Sequence, residues 1–286
     1  MSKPGGTREL QVAGRRTRVT VDGNPDAAPI LLIHGLGRSL EDWAPQRGLL
    51  SAAHRVIAVE LPGFGFSDPL AGPITLPALA EAVQDTLGAL GEDRPVHLVG
   101  HSMGGAVSMQ LLVDHPDRVA TLVLSNSAGF GRGATALMRT LAVPVLGDGF
   151  SRVGARTGLR RFERTIYGDP SHATAARVEH ALAINRRPGY RATMLEAIRL
   201  MADFRGVREP WRRELLAEVV RHPRPTLALW GDRDRISPVS QLEEIGRVLP
   251  HASRRVFAGA GHLPQVEQPE RYAATVLEFL AAPPRD

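Results

Sequence analysis

The sequence VHLVGHSMG at residues 96–104 decides the fold. It consists of an apolar run of strand length, residues 96–99, and a serine with a glycine two residues away on either side; a second apolar run follows at residues 106–113. A sharp turn between a strand and a helix places such a serine at the carboxyl end of a sheet, and the glycines let neighbouring chains approach closely. The amino terminus of the following helix favours developing negative charge. The stretch therefore predicts that Ser102 is a nucleophile.

Apolar segments of strand length recur along the chain between amphipathic stretches of helix length. This alternation is typical of an α/β fold with a mostly parallel, twisted sheet flanked by helices. The first two segments flank Gly14 and predict an opening hairpin. We expect about eight strands in total, at residues 9–12, 16–21, 30–33, 56–59, 96–99, 121–124, 226–230 and 255–257.

The alternation stops at Gly129, and about 90 residues pass before the next predicted strand, at 226–230. A structureless loop of that length is improbable within a compact domain, and helical patterns occur at residues 175–184 and 193–204. We therefore predict that residues 130–222 form a helical cap, or lid, inserted into a core made of residues 1–129 and 223–286.

A serine hydroxyl needs a base to remove its proton, and the base must be oriented by a carboxylate. Of the ten histidines, His262 lies in the loop GAGHLP at residues 259–264, directly after the last predicted strand. This loop is expected at the same edge of the sheet as Ser102. The chain order serine, acid, histidine is the one expected for this type of turn. We therefore predict that His262 is the general base.

Two carboxylates follow the preceding strand, in WGDRDRISP at residues 230–238. Asp234 lies further round the loop, before a Ser-Pro turn, whereas Asp232 is placed to fix the turn by accepting backbone N–H bonds. The other loop from which an acid could serve, residues 125–127, reads Ser-Asn-Ser and has no carboxylate. We predict that Asp234 is the acid of the site.

Acyl transfer also requires hydrogen-bond donors for an oxyanion. The turn at Ser102 supplies the backbone N–H of Met103, and HGLG at residues 34–37, after the strand predicted at 30–33, supplies that of Leu36. We predict that these two groups are the donors. His34 is expected to anchor its loop through a side-chain hydrogen bond.

A second glycine-rich stretch, GFGRGA at residues 129–134, matches the dinucleotide-binding fingerprint, with Asp148 nineteen residues after Gly129. The segment around Asp148 contains Pro144 and does not predict the strand that the fingerprint requires. No set of His, Asp and Glu has the spacing of metal ligands, and the chain has no cysteine. We expect no cofactor and no metal.

The charge is distinctive in its distribution. The formal net charge is +5 and a single Lys accompanies the arginines, while residues 129–222 contain 17 Arg against 9 Asp and Glu. No basic run is interleaved with aromatic residues, so we expect no nucleic-acid partner. The basic cap could attract an anionic substrate or an acidic carrier protein, or its arginines could form a solvated face. The oligomeric state is left open.

The lengths of the apolar runs indicate whether the chain could span a membrane. No apolar run approaches the roughly 18–20 residues that a membrane helix needs, and MSKPGGTREL at the start lacks the apolar stretch of a secretory signal. We expect no membrane span and a cytoplasmic protein.

Several motifs in a fixed order resemble the α/β-hydrolase superfamily: HGLG at 34–37, Trp43, ELPGFGFSD at 60–68, GHSMGG at 100–105, WGDRDRISP at 230–238 and GAGHLPQVEQPE at 259–270. The resemblance implies a triad of Ser102, Asp234 and His262, oxyanion donors at Leu36 and Met103, and a cap made from the insertion. Epoxide hydrolases and haloalkane dehalogenases of this superfamily use Asp where this chain has Ser102. The chain also resembles carbon–carbon bond hydrolases of ring-cleavage pathways, which often have Asn where this chain has His101.

The expected function is that of a serine hydrolase that cleaves the carboxylic ester of a small or medium apolar molecule through an acyl-enzyme. One alternative is carbon–carbon bond hydrolysis of a vinylogous diketone of the ring-cleavage type, and another is thioester or lactone hydrolysis. A ligand receptor without catalysis is a further alternative, because some members of the superfamily sense small molecules.

Overall fold

A sheet of eight strands runs through the part of the chain that this computed structural model describes, residues 5–150 and 155–282. Its order is β1-β2-β4-β3-β5-β6-β9-β10, and a separate pair, β7 and β8, forms a small hairpin. The strands are β1 (Arg8–Val12), β2 (Arg15–Asp22), β3 (Pro29–Ile33), β4 (Arg55–Val59), β5 (Val96–His101), β6 (Val119–Ser125), β7 (Ala202–Asp203), β8 (Gly206–Val207), β9 (Thr226–Gly231) and β10 (Ser253–Phe257).

The direction of pairing confirms a mostly parallel sheet. β1 and β2 form the predicted hairpin, β2 runs antiparallel to β4, and every other pair of neighbours in the eight described strands is parallel. All residues of β3 and β9 are buried, as expected for parallel strands that are covered on both faces. Each of the eight predicted strands corresponds to one of these strands.

Helices cover both faces of this sheet. They are α1 (Ala44–Leu50), α2 (Leu76–Ala89), α3 (Met103–Asp114), α4 (Ala136–Ala142), α5 (Pro144–Phe150), α6 (Ala155–Thr165), α7 (Ala175–Asn185), α8 (Tyr190–Met201), α9 (Glu209–Val219), α10 (Gln241–Val248), α11 (Pro264–Glu267) and α12 (Pro269–Ala281). Short 3₁₀ turns occur at Leu40–Trp43, Pro116–Arg118 and Pro170–His172. None of the helices in the described ranges has the length and hydrophobicity needed to cross a membrane.

Alternation along the strands divides the core into two layers. Leu31 and Ile33 of β3 pack in a cluster with residues of α2 and α3. Ile30 and Leu32 point to the other face and pack with residues of α1 and α12. Successive side chains of a strand point to opposite faces, so the same short apolar run supports both layers.

Helix α2 illustrates how the sequence sets an element. Thr75 precedes it, and its side chain accepts a hydrogen bond from the N–H of Ala78 at 3.1 Å, which caps the first turn. Leu79, Val83 and Leu87 are buried along one face, as their helical spacing predicts.

The segment between β6 and β9 contains α4 to α9 and the β7–β8 hairpin. The predicted helix at 193–204 is shorter at its carboxyl end, because Ala202–Asp203 turns into the hairpin and leaves Phe204 exposed at its tip. Phe150 of this segment belongs to α5, but its side chain lies outside the described part.

Helix α9 packs against α3 of the core, and its Leu215, Leu216 and Val219 belong to the main core cluster. β6 and β9 are parallel neighbours, and parallel neighbours require a crossover element between them. Helix α9 serves as that element. The boundary predicted at 222 therefore includes a helix that packs with the core, and we propose that the cap ends before Glu209.

Candidate active site

Ser102 lies in the turn that joins β5 to α3. Its backbone is in an unusual conformation, with φ 54° and ψ −120°. The N–H of Ser102 donates to the carbonyl of Ser125 at 3.0 Å, and its carbonyl accepts from the N–H groups of Gly105 at 2.9 Å and Ala128 at 3.0 Å. These bonds tie the turn to the end of β6 and hold the serine at the carboxyl edge of the sheet.

The glycine after this turn is required by close packing. A Cβ at Gly104 would lie only 2.5 Å from the carbonyl oxygen of His34 and closer still to that of Ile33. A side chain there would push β3 and its following loop away from Ser102. The glycine spacing seen in the sequence is thus explained by the approach of two backbones.

His262 and Asp234 are brought together as predicted from the sequence. His262 Nδ1 lies 2.7 Å from Asp234 Oδ2, and both residues are buried. Asp234 Oδ1 accepts the backbone N–H groups of Ile236 at 2.7 Å and Ser237 at 2.9 Å. Burial acts to raise the pKa of Asp234, but the charge and hydrogen bond of His262 oppose it and hold this pKa below its ordinary value. The carboxylate is therefore ionised and fixed.

Asp232, the competing carboxylate, is exposed and faces a different partner. Its Oδ1 accepts the N–H of Gly259 at 2.7 Å. This bond joins the loop after β9 to the loop that leads to His262. Asp232 accepts a backbone N–H bond, as expected, but the donor lies in the loop after β10 and not in its own turn.

Asn126 is a site residue that the sequence analysis missed. Its Nδ2 donates to Asp234 Oδ2 at 2.6 Å, and its backbone adopts φ 45°. Asn tolerates this left-handed conformation better than most residues. The signal was available: a polar Ser-Asn-Ser sequence directly follows the buried strand β6, at the edge where Ser102 emerges.

Leu36 and Met103, the predicted oxyanion donors, lie beside Ser102 around one cavity. Met103 is the first residue of α3, so its N–H has no partner within that helix. The loop of Leu36 is held by His34, whose Nε2 accepts the N–H of Leu61 at 3.0 Å while Nδ1 donates to the carbonyl of Gly35 at 2.8 Å. Burial lowers the pKa of His34 to about 4, so this anchor is a neutral imidazole.

The cavity at Ser102 measures about 130 Å³. Ser102 and His262 are two of its lining residues, and most of the others are Gly, Leu, Ile or Met. Residues of the core and of the inserted segment both contribute; the latter include Leu137, Met138, Leu141, Phe162, Ile166, Met194, Ile198 and Met201. The nucleophile predicted from the sequence therefore opens into a mostly apolar space.

A family model of the alpha/beta hydrolase fold matches residues 28–269. The chain belongs to this family. The sequence-based resemblance and the predicted fold class are thereby confirmed.

Three proteins illustrate what this α/β hydrolase is similar to. It is 33% identical over 273 residues to the dihydrolipoyllysine-residue acetyltransferase component of the acetoin cleaving system of Pseudomonas putida, covering 96% of this chain and 69% of that protein. It is 32% identical over 282 residues to a 2-hydroxymuconate semialdehyde hydrolase of Pseudomonas putida, covering 96% and 94%. The structure of a thermophilic esterase from Thermogutta terrifontis superposes with a TM-score of 0.75 at 25% identity, covering 96% and 98%.

The loop that carries His262 in this α/β hydrolase is bound to the inserted segment. The N–H of His262 donates to the carbonyl of Ile166 at 2.7 Å. Glu267 accepts the N–H of Gly261 at 2.8 Å through one oxygen and that of Gly168 at 2.8 Å through the other. The position of the imidazole thus depends on the core and on the inserted segment together.

His101, the residue before Ser102, lies behind His262, with their ring centroids 4.7 Å apart. His101 Nε2 lies 2.7 Å from the carbonyl oxygen of His262, so the nitrogen must donate. Its Nδ1 has no hydrogen-bond partner among the described residues. Burial, and then the neighbouring His262, lower the pKa of His101 to about 3. His101 is therefore a neutral support for the His262 loop.

Arg38 is the cationic side chain that lines the cavity. Its Nε and Nη2 each donate to Asp42 at 2.7 Å, and its Nη1 donates to Glu163 of α6 at 2.5 Å. Three of its nitrogen atoms thus bind protein carboxylates.

The glycine-rich stretch 129–134 also lines the cavity, through Gly129, Gly131 and Gly133. Asp148, which would be the ribose ligand of a dinucleotide site, lies in the short helix α5 and not after a strand. The stretch lies between β6 and α4, but α4 is followed by α5 and not by the parallel strand that a dinucleotide-binding unit requires. Across residues 5–150 and 155–282, no group of three or more His, Asp or Glu is placed to hold a metal ion.

Proposed function

We propose that this α/β hydrolase is a serine hydrolase in which Ser102, His262 and Asp234 form a catalytic triad. The observation that carries the proposal is the 2.7 Å contact between Asp234 Oδ2 and His262 Nδ1. A carboxylate there keeps the proton on Nδ1, so Nε2 is the basic nitrogen that can accept the serine proton. Ser102 and His262 line the same cavity.

The reaction proceeds in two stages. Ser102 Oγ attacks a carbonyl carbon while His262 takes its proton, and the N–H groups of Leu36 and Met103 stabilise the oxyanion. The bond to the leaving group then breaks, and protonated His262 gives the proton to that group. Water, deprotonated by His262, attacks the acyl-enzyme and releases an acid and free Ser102.

The relatives support carbon–carbon bond hydrolysis of a vinylogous diketone better than the ester hydrolysis expected from the sequence. A 2-hydroxymuconate semialdehyde hydrolase matches almost the full length of both chains at 32% identity. In such a substrate the electron pair of the broken bond is delocalised onto a second carbonyl through the intervening double bond. Carbon–carbon hydrolysis is therefore the first candidate. The main difference between this chain and such hydrolases is His101, where they often have Asn.

Ester hydrolysis is the second candidate, because a specific feature of the cavity favours it. The lining is mostly apolar, and Arg38, its cationic member, is already bound by Asp42 and Glu163. An uncharged acyl group fits this lining better than the anionic substrate that the basic inserted segment could attract. In either case the inserted segment acts as a cap that supplies the walls of the cavity.

The experiment that tests the proposal combines labelling and turnover. An organophosphonate should modify Ser102, as located by mass spectrometry, and Ser102→Ala should lower kcat by several orders of magnitude, leaving only about 10³–10⁴-fold catalysis over water. A vinylogous diketone and an alkyl ester should be compared by kcat/KM. Labelling elsewhere, or an active Ser102→Ala variant, contradicts the mechanism, and stoichiometric binding without turnover supports a receptor.

A further inference from the structure

The cluster of Arg38, Asp42 and Glu163 lies between the core and the inserted segment. Arg38 follows β3 and lines the cavity, whereas Glu163 comes from α6, 125 residues away in sequence. The Glu163 side chain is 1% exposed and that of Asp42 is 10% exposed. The three charges are therefore shielded from solvent, and their interactions are strong.

Two carboxylates face one guanidinium. The two oxygens of Asp42 accept hydrogen bonds from Nε and Nη2 of Arg38, which makes a bidentate pair. Glu163 Oε1 accepts a hydrogen bond from Nη1. Burial acts to raise the pKa of Asp42, but Arg38 holds it below its ordinary value. Burial raises the pKa of Glu163, although Arg38 opposes this. The cluster therefore offers no net positive charge to the cavity.

We propose that Glu163 is a specificity-determining residue: with Asp42 it binds and neutralises Arg38, the cationic side chain that lines the cavity, so the cavity selects uncharged acyl groups over carboxylate-bearing ones. The inference rests on the proposed hydrolase function and names the substrate class of that site. It holds for either type of leaving group, because it concerns the acyl part of the substrate.

Displacement of Glu163 by a substrate carboxylate is unfavourable for a physical reason. Glu163 Oε2 has no hydrogen-bond partner among the described residues, and Oε1 binds Arg38. A substrate carboxylate that accepts the hydrogen bond of Arg38 Nη1 would leave the buried carboxylate of Glu163 without its cation, which is strongly destabilising. A substrate that does not displace Glu163 would bring a third negative charge to a single guanidinium.

The experiment uses two activated esters of equal chain length, para-nitrophenyl hexanoate and mono-para-nitrophenyl adipate. Wild type should prefer the hexanoate in kcat/KM. Glu163→Gln keeps the shape and removes one negative charge, so the adipate/hexanoate ratio of kcat/KM should rise about tenfold, because a charge interaction shielded from solvent is only weakly screened. Adding Arg38→Gln to Glu163→Gln should abolish that rise.

Glu179→Gln is the matched control, since Glu179 is an exposed residue of α7 in the same inserted segment and pairs with Arg160 at 3.5 Å. It should leave the ratio within about twofold of wild type, because exposed charges are screened. An equal rise in Glu179→Gln would mean that the general charge of the segment, and not Glu163, sets the preference.

The outcomes separate this inference from the proposed function. If neither ester is hydrolysed and no phosphonate labels Ser102, the proposed function fails. If both esters are hydrolysed through Ser102 but Glu163→Gln leaves their ratio unchanged, only the inference fails. If Glu163→Gln does not fold, as judged by circular dichroism, the kinetics of wild type still test the inference. A wild-type kcat/KM that is equal or greater for the adipate than for the hexanoate overturns it.

Discussion

The turns at the carboxyl edge of the sheet and the inserted segment are built on different principles. Ser102, Asp234 and His262 each follow a strand, so the hydrogen-bonded ladders of the sheet fix their relative positions. Most residues of the inserted segment that line the cavity lie on helices outside this sheet, and the segment is joined to the His262 loop by a few hydrogen bonds, such as that of the His262 N–H to the Ile166 carbonyl. The proposed catalytic residues therefore depend on local turn motifs, whereas the selectivity that we propose depends on contacts between segments distant in sequence.

The largest expected effect comes from replacing one of the two carboxylates in the loop after β9. Asp234→Asn should lower kcat about 10³–10⁴-fold, because an amide cannot hold the proton on Nδ1 of His262 in the same way. Asp232→Asn should lower kcat no more than about threefold and mainly weaken its bond to Gly259. Steady-state kinetics on one substrate measures both, and the opposite ranking would make Asp232 the acid.

A second prediction concerns the buried histidines beneath the edge. The pKa of His101 is about 3 in the folded chain, below about 6.5 in the unfolded chain. The unfolded state therefore binds more protons as the pH falls, and His101 should reduce the free energy of unfolding by about 1.6 kcal/mol between pH 6.5 and pH 5. Urea unfolding across this range should show a shallower pH dependence for His101→Asn than for wild type.

His251→Asn is the control for that measurement, since His251 is exposed and distant in sequence from the site. Its pH dependence should match that of wild type. The interpretation of His101 as a neutral support is wrong if His101→Asn keeps the full wild-type slope, whatever its stability at pH 7.

The smallest expected effect comes from the inserted segment. Ile198 of α8 is buried and lines the cavity, so Ile198→Ala should enlarge it and raise the decanoate/butyrate ratio of kcat/KM for para-nitrophenyl esters about threefold to tenfold. Val220→Ala, at an exposed position outside the cavity, should leave the ratio unchanged. A uniform fall in kcat for all esters would show instead that this wall takes part in the chemistry.

The fold, and the placement of the predicted site residues at one edge of the sheet, were accessible from sequence because each depends on a short pattern. Eight apolar runs became the eight strands of the sheet, and the pairing of His262 with Asp234 follows from two loops at one edge. The position of Asn126 at this edge was accessible from the polar Ser-Asn-Ser sequence after β6. Its hydrogen bond to Asp234 was not, because that bond depends on β6 lying beside β9, and sequence spacing contains no information on that neighbour relation.

The inserted segment was less predictable for a related reason. The sequence predicted that this segment is helical. It did not predict the pairing of Arg38 with Glu163, because the separation of these residues in sequence matches no helix or strand periodicity. The role of α9 also depends on tertiary packing, since its amphipathic pattern fits a cap helix and a crossover helix equally well. The sequence contains no boundary signal between the two.

The backbone of Ser102 has a thermodynamic consequence. A non-glycine residue at φ 54° and ψ −120° carries about 1–3 kcal/mol of conformational strain, and glycine would relieve most of it. A glycine at position 102 is therefore expected to stabilise this fold while removing the nucleophile that we propose. With Ser102 in that role, reactivity and stability are opposed at this residue, so a search for stabilising substitutions that does not also measure turnover would select against the serine.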